Sequence, residues 1–452
     1  MGSCLSNNWV DYYIKLYIII LVTTNLTLKF AWILFLLGFI GIVGSTIFFP
    51  LLSAIIWRIQ NKKWSYSFIP VERDKQLPFF ERLIVLIPAH NEELTIEKTI
   101  ESVKSVASIL SGQGFLGSVT IIVGDDNCTD NTVKIATKLG AQVISDDLNK
   151  NSENSRGKWQ TLCSLIQSLP PTIGQNELVA LVDAGTCWET NECIAAFSHF
   201  RNPHIAAISP TYTVNGSTSF FWFIERWLKR LENISGGPIS VHGATVVYRR
   251  NILIDAFAFL KKCANLSDHH HHMGDIKKFW YNDDVVIPLT IRTRQDQPSH
   301  IWYSSVWKII DTSKVNDSQG NVSIQRSFLS NLFTPKVFDY KRRQRMVWGN
   351  IQWIQTNIWR KNFYVLLLAL RRILRLFWAY WISSVIVGAS LLLGSLLFTK
   401  PLLVFIASLI IITLLAKFSG AFLASLSAPS LIFLTLKQKN ADTRVSEKIK
   451  WN

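Results

Sequence analysis

Four acidic motifs along one hydrophilic stretch of the sequence carry side chains that could do chemistry. They contain Glu92 in Pro-Ala-His-Asn-Glu, Asp126 in Gly-Asp-Asp-Asn, Asp183 in Val-Asp-Ala-Gly and Asp284 in Asn-Asp-Asp. Carboxylates of this kind can coordinate a hard divalent cation such as Mg²⁺ or Mn²⁺, or accept a proton as a general base. Either chemistry requires a fold that brings the four motifs together.

Short apolar segments precede the first three motifs. They run over Leu83–Ile87, Val119–Val123 and Leu178–Val182, and the first two are followed by residues with a helical pattern. Strands that alternate with helices predict βαβ units, so we expect an α/β fold with a mainly parallel sheet. Because ligands bind at the carboxyl edge of such sheets, the carboxylates should gather there.

The composition indicates a protein held in a membrane. Of the 452 residues 49% are hydrophobic, and the mean hydropathy of +0.21 is too high for a purely soluble chain of this size. Residues 30–57 form a nearly uncharged run that is long enough to cross about 30 Å of hydrocarbon. The net charge of +16 comes from Lys and Arg beside apolar segments, so it predicts anionic lipid rather than nucleic acid as the partner.

Basic residues also predict the topology. They follow the first span and precede the next apolar block, so the region between them should face the cytoplasm of a multi-pass protein of the plasma membrane, or of the inner membrane if the source is bacterial. The predicted segments are 1–29 as an interfacial or membrane segment, 30–57 as a transmembrane helix, 78–335 as the α/β domain, 336–375 as interfacial helices, 376–436 as two or three transmembrane segments, and 437–452 as a cytoplasmic tail.

The motifs and their order resemble the membrane-embedded family 2 glycosyltransferases, the group that includes cellulose, hyaluronan and poly-N-acetylglucosamine synthases. The resemblance covers about Arg82 to Asn350, and the flanking spans match the layout of that group. It implies a GT-A (nucleotide-diphospho-sugar transferase) domain flanked by transmembrane helices. It also implies a hexosyl- or N-acetylhexosaminyltransferase.

The resemblance assigns a donor site. It gives three residues to the nucleotide base and ribose: Ala89, Glu92 and Asp126. It places Lys158, of Arg-Gly-Lys, near the phosphates of the donor. Asp183 matches the first acid of an Asp-x-Asp motif that holds Mg²⁺ or Mn²⁺, whereas Gly185 stands in place of the second acid. The remaining metal ligands would then be water, phosphate oxygens or a carboxylate from elsewhere.

A general base is expected in the fourth motif. Asn282-Asp283-Asp284 aligns with the Thr-Glu-Asp of the family, whose last residue is the base. The resemblance thus implies that Asp284 deprotonates the acceptor hydroxyl and that Asp283 supports it. Transfer with inversion requires such a base when the hydroxyl attacks the anomeric carbon.

Two segments are candidates for contact with the acceptor or the diphosphate. His242 and Gly243 lie where the family contacts the acceptor, although a turn before a strand explains them equally well. Processive members carry Gln-x-x-Arg-Trp, whereas here Arg345 and Trp348 are three residues apart. On a helix they can share one face, so a related diphosphate clamp stays open, as does the choice between a polymer and a single transfer.

Tryptophans and a histidine run have alternative explanations. Most tryptophans lie near predicted spans or interfacial helices, where they would anchor at headgroups. Trp302, Trp307 and Trp348 are the better candidates for stacking against a sugar. The run His269 to His272 is either a metal-binding tract or a solvated loop.

We therefore expect an inverting, metal-dependent transferase. It would move a sugar from a nucleotide-sugar donor to a glycan or lipid-linked acceptor, in the synthesis of a cell-surface or extracellular polysaccharide. The alternatives are transfer of one sugar to a polyprenyl phosphate or other lipid, and a nucleotide-binding scaffold without catalysis. Membrane lipid is an expected partner and nucleic acid is not. Three spans are few for a polymer channel, which a homo-oligomer or an export partner would complete.

Overall fold

A computed structural model of the protein describes the following parts of the chain: 26–60, 79–145, 157–174, 176–214, 220–266, 282–293, 300–311, 346–347, 349–354, 363–396, 401–418, 425–430 and 432–433. The chain divides into two compact units. The first unit comprises Met1–Pro50, Arg326–Ile354 and Ala369–Lys437, and the second comprises Leu51–Gln325, Gln355–Leu368 and Gln438–Asn452. All four acidic motifs belong to the second unit.

The second unit is built on one eight-stranded sheet. The strands are β1 (Phe80–Ala89), β2 (Leu116–Asp125), β3 (Gln142–Ser145), β4 (Glu177–Val182), β5 (Thr186–Trp188), β6 (Ile205–Val214), β7 (Thr245–Arg249) and β8 (His300–Asp311). Their order across the sheet is β3-β2-β1-β4-β7-β6-β8-β5. The three apolar segments of the sequence are thus strands β1, β2 and β4, as predicted.

The helices with defined bounds follow the same chain order. They are α1 (Leu26–Ile59), α2 (Ile96–Gly112), α3 (Thr132–Lys138), α4 (Lys158–Gln167), α5 (Cys193–Ser198), α6 (Phe220–Glu232), α7 (Arg250–Leu266), α8 (Asp283–Arg292), α9 (Phe363–Leu376), α10 (Trp378–Leu396) and α11 (Pro401–Phe418). In α2, Ile96, Ile100, Val103 and Ala107 are buried, and their spacing places them on one face of the helix, which packs against β2 and β5.

The prediction of a mainly parallel sheet is correct for only half of it. Strands β3, β2, β1 and β4 are all parallel, because helices cross over between them. Strand β7 is antiparallel to both β4 and β6, and β5 is antiparallel to β8, although β6 and β8 are parallel. The sheet is therefore mixed, and only its parallel half has the carboxyl edge at which the first three motifs were expected.

Strands β1 and β4 form the centre of the core. All six residues of β4 are buried and β1 is almost entirely buried, which explains why both read as apolar runs rather than alternating patterns. The core extends through Phe115, Phe197 and Trp307, whose rings pack edge to face or tilted on their neighbours. A rigid sheet therefore supports the loops that follow β1, β2 and β4.

A buried ion triad lies at the other end of the parallel strands, away from the acidic motifs. The carboxylate of Glu177, at the start of β4, lies 2.6 Å from the guanidinium of Arg82 on β1 and also pairs with Arg250, directly after β7. The side chain of Glu177 is only 1% exposed. Burial raises its pKa, but hydrogen bonds from Arg250, Ile173 and Arg82 outweigh burial and hold the pKa below its usual value.

Gly237 allows a close crossing of two backbones. Its φ is +105°, and a Cβ at this position would lie 1.8 Å from the carbonyl oxygen of Ile301 on β8. Next to it, the Ile301 amide donates to the Gly236 carbonyl at 2.9 Å. The segment between α6 and β7 is thereby fixed against the sheet.

Helix α1 has the length and composition of a membrane span. It contains 34 residues, its most apolar window has a mean hydropathy of 2.3, and only 17% of that window is buried. A core helix of a soluble protein would be mostly buried. Over the described residues, α1 is one helix that could cross a membrane, and α9 with α10 adds a second if that pair, bent by 56°, counts as one span.

Within the first unit, α1 and α10 pack at very short range. A Cβ at Gly388 would lie 2.5 Å from the amide nitrogen of Phe35 and 2.8 Å from the carbonyl oxygen of Ala31. Gly38 and Gly41 of α1 lie equally close to Trp381 of α10. Small residues that let helix backbones touch are typical of helix pairs in lipid.

The ion triad predicts a pH-dependent effect of Glu177→Gln. This change leaves two buried guanidiniums without their carboxylate, at a cost of roughly 3–5 kcal/mol, so we expect the unfolding midpoint to fall by roughly 10 °C. Since the pKa of Glu177 is lowered on folding, the stabilisation is complete above its ordinary value of 4.5 and is lost as the pH falls through the folded-state value. The difference between the wild type and the variant should therefore shrink in acid. Thermal unfolding followed by circular dichroism in detergent, at several pH values, measures the two midpoints.

The matched control is Glu101→Gln, which changes an exposed carboxylate on α2. This variant should unfold at the wild-type temperature. Equal midpoints for both variants would contradict a stabilising triad.

Candidate active site

Three of the acidic motifs meet at the carboxyl edge of the parallel strands. Ala89 is the last residue of β1, Asp126 follows β2 directly, and Asp183 follows β4 directly. The Asp126 amide donates to the Ala89 carbonyl at 2.9 Å. The structure thus brings together these predicted residues where a ligand would bind.

The loops after β1 and β2 hold each other through side chains. The Glu93 amide donates to Oδ2 of Asp130 at 3.0 Å, and the amide and side chain of Asn131 both donate to Oε2 of Glu93 at 3.1 Å. Burial raises the pKa of Asp130, but donors on Thr132 and the Glu93 backbone outweigh it, so the pKa is lowered. Glu93 and Asp130 were not predicted as site residues, and their positions in the first two motifs are the only signal in the sequence for this contact.

Glu92 itself is engaged at the start of α2. Its amide donates to Oγ1 of Thr132 at 2.7 Å, and its Oε2 accepts from the hydroxyl of Thr95 at 2.5 Å. The side chain lies at the predicted edge, where it also shapes the helix start. Its contact with a nucleotide stays a prediction.

Asp126 positions the loop that carries the lysine. It is 3% exposed, and its Oδ2 accepts from the Gly157 amide at 3.0 Å. Gly157 has a φ of +96°, and Lys158 begins α4 directly after it. In this structure Asp126 is therefore a positioning residue for Lys158, and its direct contact with the base or ribose stays a prediction.

Lys158 lies between two carboxylates. Its Nζ is 2.6 Å from Oδ1 of Asp183 and 2.9 Å from Oδ2 of Asp283, and 3.5 Å from the carbonyl oxygen of Gly243. Burial lowers the pKa of Lys158, but the charges of Asp183 and Asp283 outweigh burial and raise it. The ammonium thus stays protonated and links the third motif to the fourth.

Asp283 and Asp284 begin α8 and face different neighbours. Asp283 pairs with Lys158, whereas Asp284 lies beside the segment before β7. The Asp284 carbonyl accepts from the Val241 amide at 3.1 Å, and a Cβ at Gly243 would be 3.4 Å from Cβ of Asp284. Negative charge at this helix start is favourable.

Aromatic residues surround the predicted acceptor segment. His242 stacks on Tyr212 of β6 with ring centroids 3.6 Å apart and an angle of 9° between the rings. Tyr248 on β7 is buried, and its pKa is raised by burial and by the charges of Asp283 and Asp284. The sequence analysis missed both tyrosines because nothing local links them to the acids.

The donor set suits a divalent cation that is completed by phosphate. Asp183 offers hard oxygens, and its side chain is 40% exposed. Over the described residues, no group of three or more His, Cys, Asp or Glu side chains could hold a metal ion. Gly185 has a φ of +87° and its amide donates to Oγ1 of Thr99 at 2.9 Å, which favours glycine there over a second acid. One carboxylate with waters and substrate phosphates is a usual arrangement for Mg²⁺.

The other predicted contacts have different outcomes. Trp307 is fully buried and its Nε1 donates to the Glu189 carbonyl at 3.0 Å, so the prediction that it stacks on a sugar is wrong. Trp302 packs on His199 with ring centroids 4.2 Å apart. Arg345, Trp348 and the run 269–272 lie outside the described residues.

Carboxylates and a protonated lysine at the edge of an α/β sheet are groups that can bind a phosphorylated ligand together with a divalent cation. The family model "Glycosyl transferase family 2" matches residues 84–259, so this part of the chain is a family 2 glycosyltransferase domain with the GT-A fold. The matched residues contain the first three motifs and Lys158, and the match ends before Asp284.

Solved structures give only weak likenesses. A mannosyltransferase from Pyrobaculum calidifontis, in complex with GDP-Man and Mn²⁺, is 14% identical with a TM-score of 0.48, over 89% of this chain and 99% of that chain. A glucosyl-3-phosphoglycerate synthase from Mycobacterium tuberculosis, with Mn²⁺ and UDP, is 19% identical with a TM-score of 0.32, over 53% and 75%. The comparison with curated proteins found no match.

The lysine bridge predicts the effect of Lys158→Met. Without the ammonium, Asp183 and Asp283 repel each other, but Asp183 is exposed enough for water to screen part of this repulsion. We expect the unfolding midpoint to fall by a few degrees. Because the pKa of Lys158 is raised on folding, its contribution is complete below the ordinary value of 10.5 and is lost only at higher pH. Thermal unfolding should therefore show the same loss at about pH 6 and about pH 9.

Lys138→Met, at an exposed position on α3, is the control and should leave the midpoint unchanged. A loss for Lys158→Met that disappears by about pH 9 would contradict the raised pKa.

Proposed function

We propose that the protein is a membrane-bound, inverting glycosyltransferase that moves a sugar from a nucleotide-sugar donor to a glycan or lipid-linked acceptor. The observation that carries the proposal is the position of Lys158 between Asp183 and Asp283, with Asp284 adjacent on the acceptor side. This arrangement separates a phosphate half of the site from a base half. The family 2 domain supports the same reading.

The phosphate half would bind the donor. The ammonium of Lys158 is a permanent positive charge for the diphosphate, and Asp126 holds its loop through Gly157. Asp183 would hold Mg²⁺ or Mn²⁺, and that cation would supply charge neutralisation for the departing nucleoside diphosphate. Ala89 and Glu92, at the end of β1 and in the following loop, would line the nucleoside end of the donor site.

The base half would activate the acceptor. Asp283 is paired with Lys158 and is therefore poorly placed to take a proton. Asp284, on the same helix turn, lies against Gly243 and the segment that carries His242. We assign it as the general base that accepts the proton of the acceptor hydroxyl while the hydroxyl oxygen attacks the anomeric carbon. Attack opposite the leaving diphosphate inverts that carbon.

The membrane part of the proposal rests on the apolar helices. Helix α1 is long, apolar and little buried, and Arg58, Lys62 and Lys63 follow its apolar part. By the charge rule these residues stay on the cytoplasmic side, so the catalytic domain would face the cytoplasm, where nucleotide sugars are made. A multi-pass protein of the plasma membrane that contributes to a surface polysaccharide or to a lipid-linked sugar fits these features.

Asp284→Asn separates the enzyme from a nucleotide-binding scaffold. The amide cannot accept the proton, so we expect transfer to fall by roughly 10²–10⁴-fold, with nucleotide affinity retained because Lys158 and Asp183 are unchanged. The assay is transfer by detergent-solubilised protein from a panel of UDP- and GDP-sugars with Mn²⁺ or Mg²⁺. Glu97→Gln, an exposed change on α2, should keep full activity. Undiminished transfer by Asp284→Asn would exclude Asp284 as the base.

Asp183→Ala tests the metal ligand independently of turnover. We expect the enhancement of nucleoside diphosphate binding by Mn²⁺ to be lost, because the carboxylate that would anchor the cation is gone. Titration calorimetry with UDP or GDP, with and without Mn²⁺, measures this effect, and Glu97→Gln should retain the enhancement. If Asp183→Ala kept it, the cation would have to bind elsewhere.

A further inference from the structure

The carboxyl-terminal part of helix α6 exposes two large apolar side chains. Trp227 is 50% exposed and Leu231 is 42% exposed, and Arg230 is exposed between them. Residues at spacings of three and four lie on one face of a helix. The outer side of this helix end therefore presents an indole, a leucine side chain and a guanidinium together.

The opposite face of the same helix end is polar and buried. Lys229, Glu232 and Asn233 are each less than 9% exposed. Oε2 of Glu232 accepts from the Ile239 amide at 3.0 Å, while Asn233 exchanges two hydrogen bonds with the backbone of Tyr303 on β8, at 2.8 and 3.0 Å. In a soluble protein, polar side chains are usually exposed and apolar side chains buried, and this helix end shows the reverse. The hydrogen bonds of Glu232 and Asn233 hold the helix in this orientation.

The end of the candidate membrane span lies close to this helix in the fold. Trp57, near the end of α1, is 4% exposed, and its Nε1 would be 2.7 Å from a Cβ at Gly236. Gly236 is four residues beyond the end of α6, and Trp57 also packs edge to face on His300 at 5.8 Å. The end of α6 therefore lies near the carboxyl-terminal end of α1 within the second unit.

We propose that α6 docks on the surface of an anionic lipid bilayer, with Trp227 and Leu231 inserted at headgroup depth and Arg230 and Arg226 against lipid phosphates. Tryptophan is enriched at this depth, and amphipathic helices with basic and apolar residues bind anionic membranes in this way. The net charge of +16 favours an anionic lipid surface as the occupant of this face. Two copies of this chain would carry the same charge and repel one another.

Docking would have a consequence for the acceptor. The segment that begins at Gly236 continues through Ile239 to His242 and Gly243, beside Asp284. A lipid-bound α6 would hold this segment at the membrane surface, so a lipid-linked acceptor would meet the base without leaving the bilayer. This consequence rests on the proposed function, whereas the docking does not.

The test uses the full chain in lipid nanodiscs. Subtracting the tryptophan emission of Trp227→Phe from that of the wild type gives the emission of Trp227 alone. We expect lipids brominated near the headgroup to quench this difference, compared with the same lipids without bromine. The matched control is the difference for Trp307→Phe, a core residue, which should not be quenched. An unquenched Trp227 signal would overturn the proposal, as would a signal that responds to protein concentration and not to bromine, since that result indicates a second copy.

A second arm tests the charge. Quenching of Trp227 should increase with the fraction of phosphatidylglycerol, and Arg230→Gln should weaken the binding of the helix to the surface by roughly fivefold. Lys138→Gln, at an exposed position on α3, should behave as the wild type. Equal behaviour of these two variants would contradict the anionic surface. Leu231→Ser should reduce quenching without changing donor hydrolysis in detergent, and the quenching readout remains valid if the protein proves not to be a transferase.

Discussion

The bridge from Lys158 to Asp183 and Asp283 is the interaction on which the site depends. It joins the end of a parallel strand to the start of α8, two elements about a hundred residues apart in the chain. An ammonium shared by two acids holds their carboxylates close together. Without the lysine, the two neighbouring carboxylates would repel each other.

Support for this bridge comes from groups that do not touch it. Asp126 bonds the Gly157 amide, and the loops after β1 and β2 bond each other through Glu93 and Asp130. At the far end of β1 and β4, Glu177 joins two arginines. The parallel strands are therefore cross-linked at both of their ends.

The segment before β7, which is the proposed acceptor side, is held by a different part of the fold. The segment before β7 is fixed by Gly237 against β8 and by Glu232 of α6, and it lies beside Asp284. Since Trp57 contacts the same segment at Gly236, Asp284, the segment before β7 and the end of α1 form one connected region of the second unit. A transferase with an acceptor at the membrane would need such a connection.

The sequence determined the features that local pattern controls. Apolar runs at β1, β2 and β4, each ended by polar residues, indicated the strands and the edge at which Ala89, Asp126 and Asp183 lie, because period and hydrophobicity act over a few residues. The apolar composition of α1 likewise indicated its helix. The order of the motifs was enough to suggest the glycosyltransferase domain.

Only the tertiary structure decided what depends on contacts between distant residues. The sheet is mixed because β7 inserts antiparallel between β4 and β6. Asp126 is buried against Gly157, and Trp307 belongs to the core. Lys158 forms ion pairs with Asp183 and Asp283. Burial, pairing and strand direction are set by packing across the whole unit, and the same aspartate or tryptophan in a local motif is compatible with either outcome.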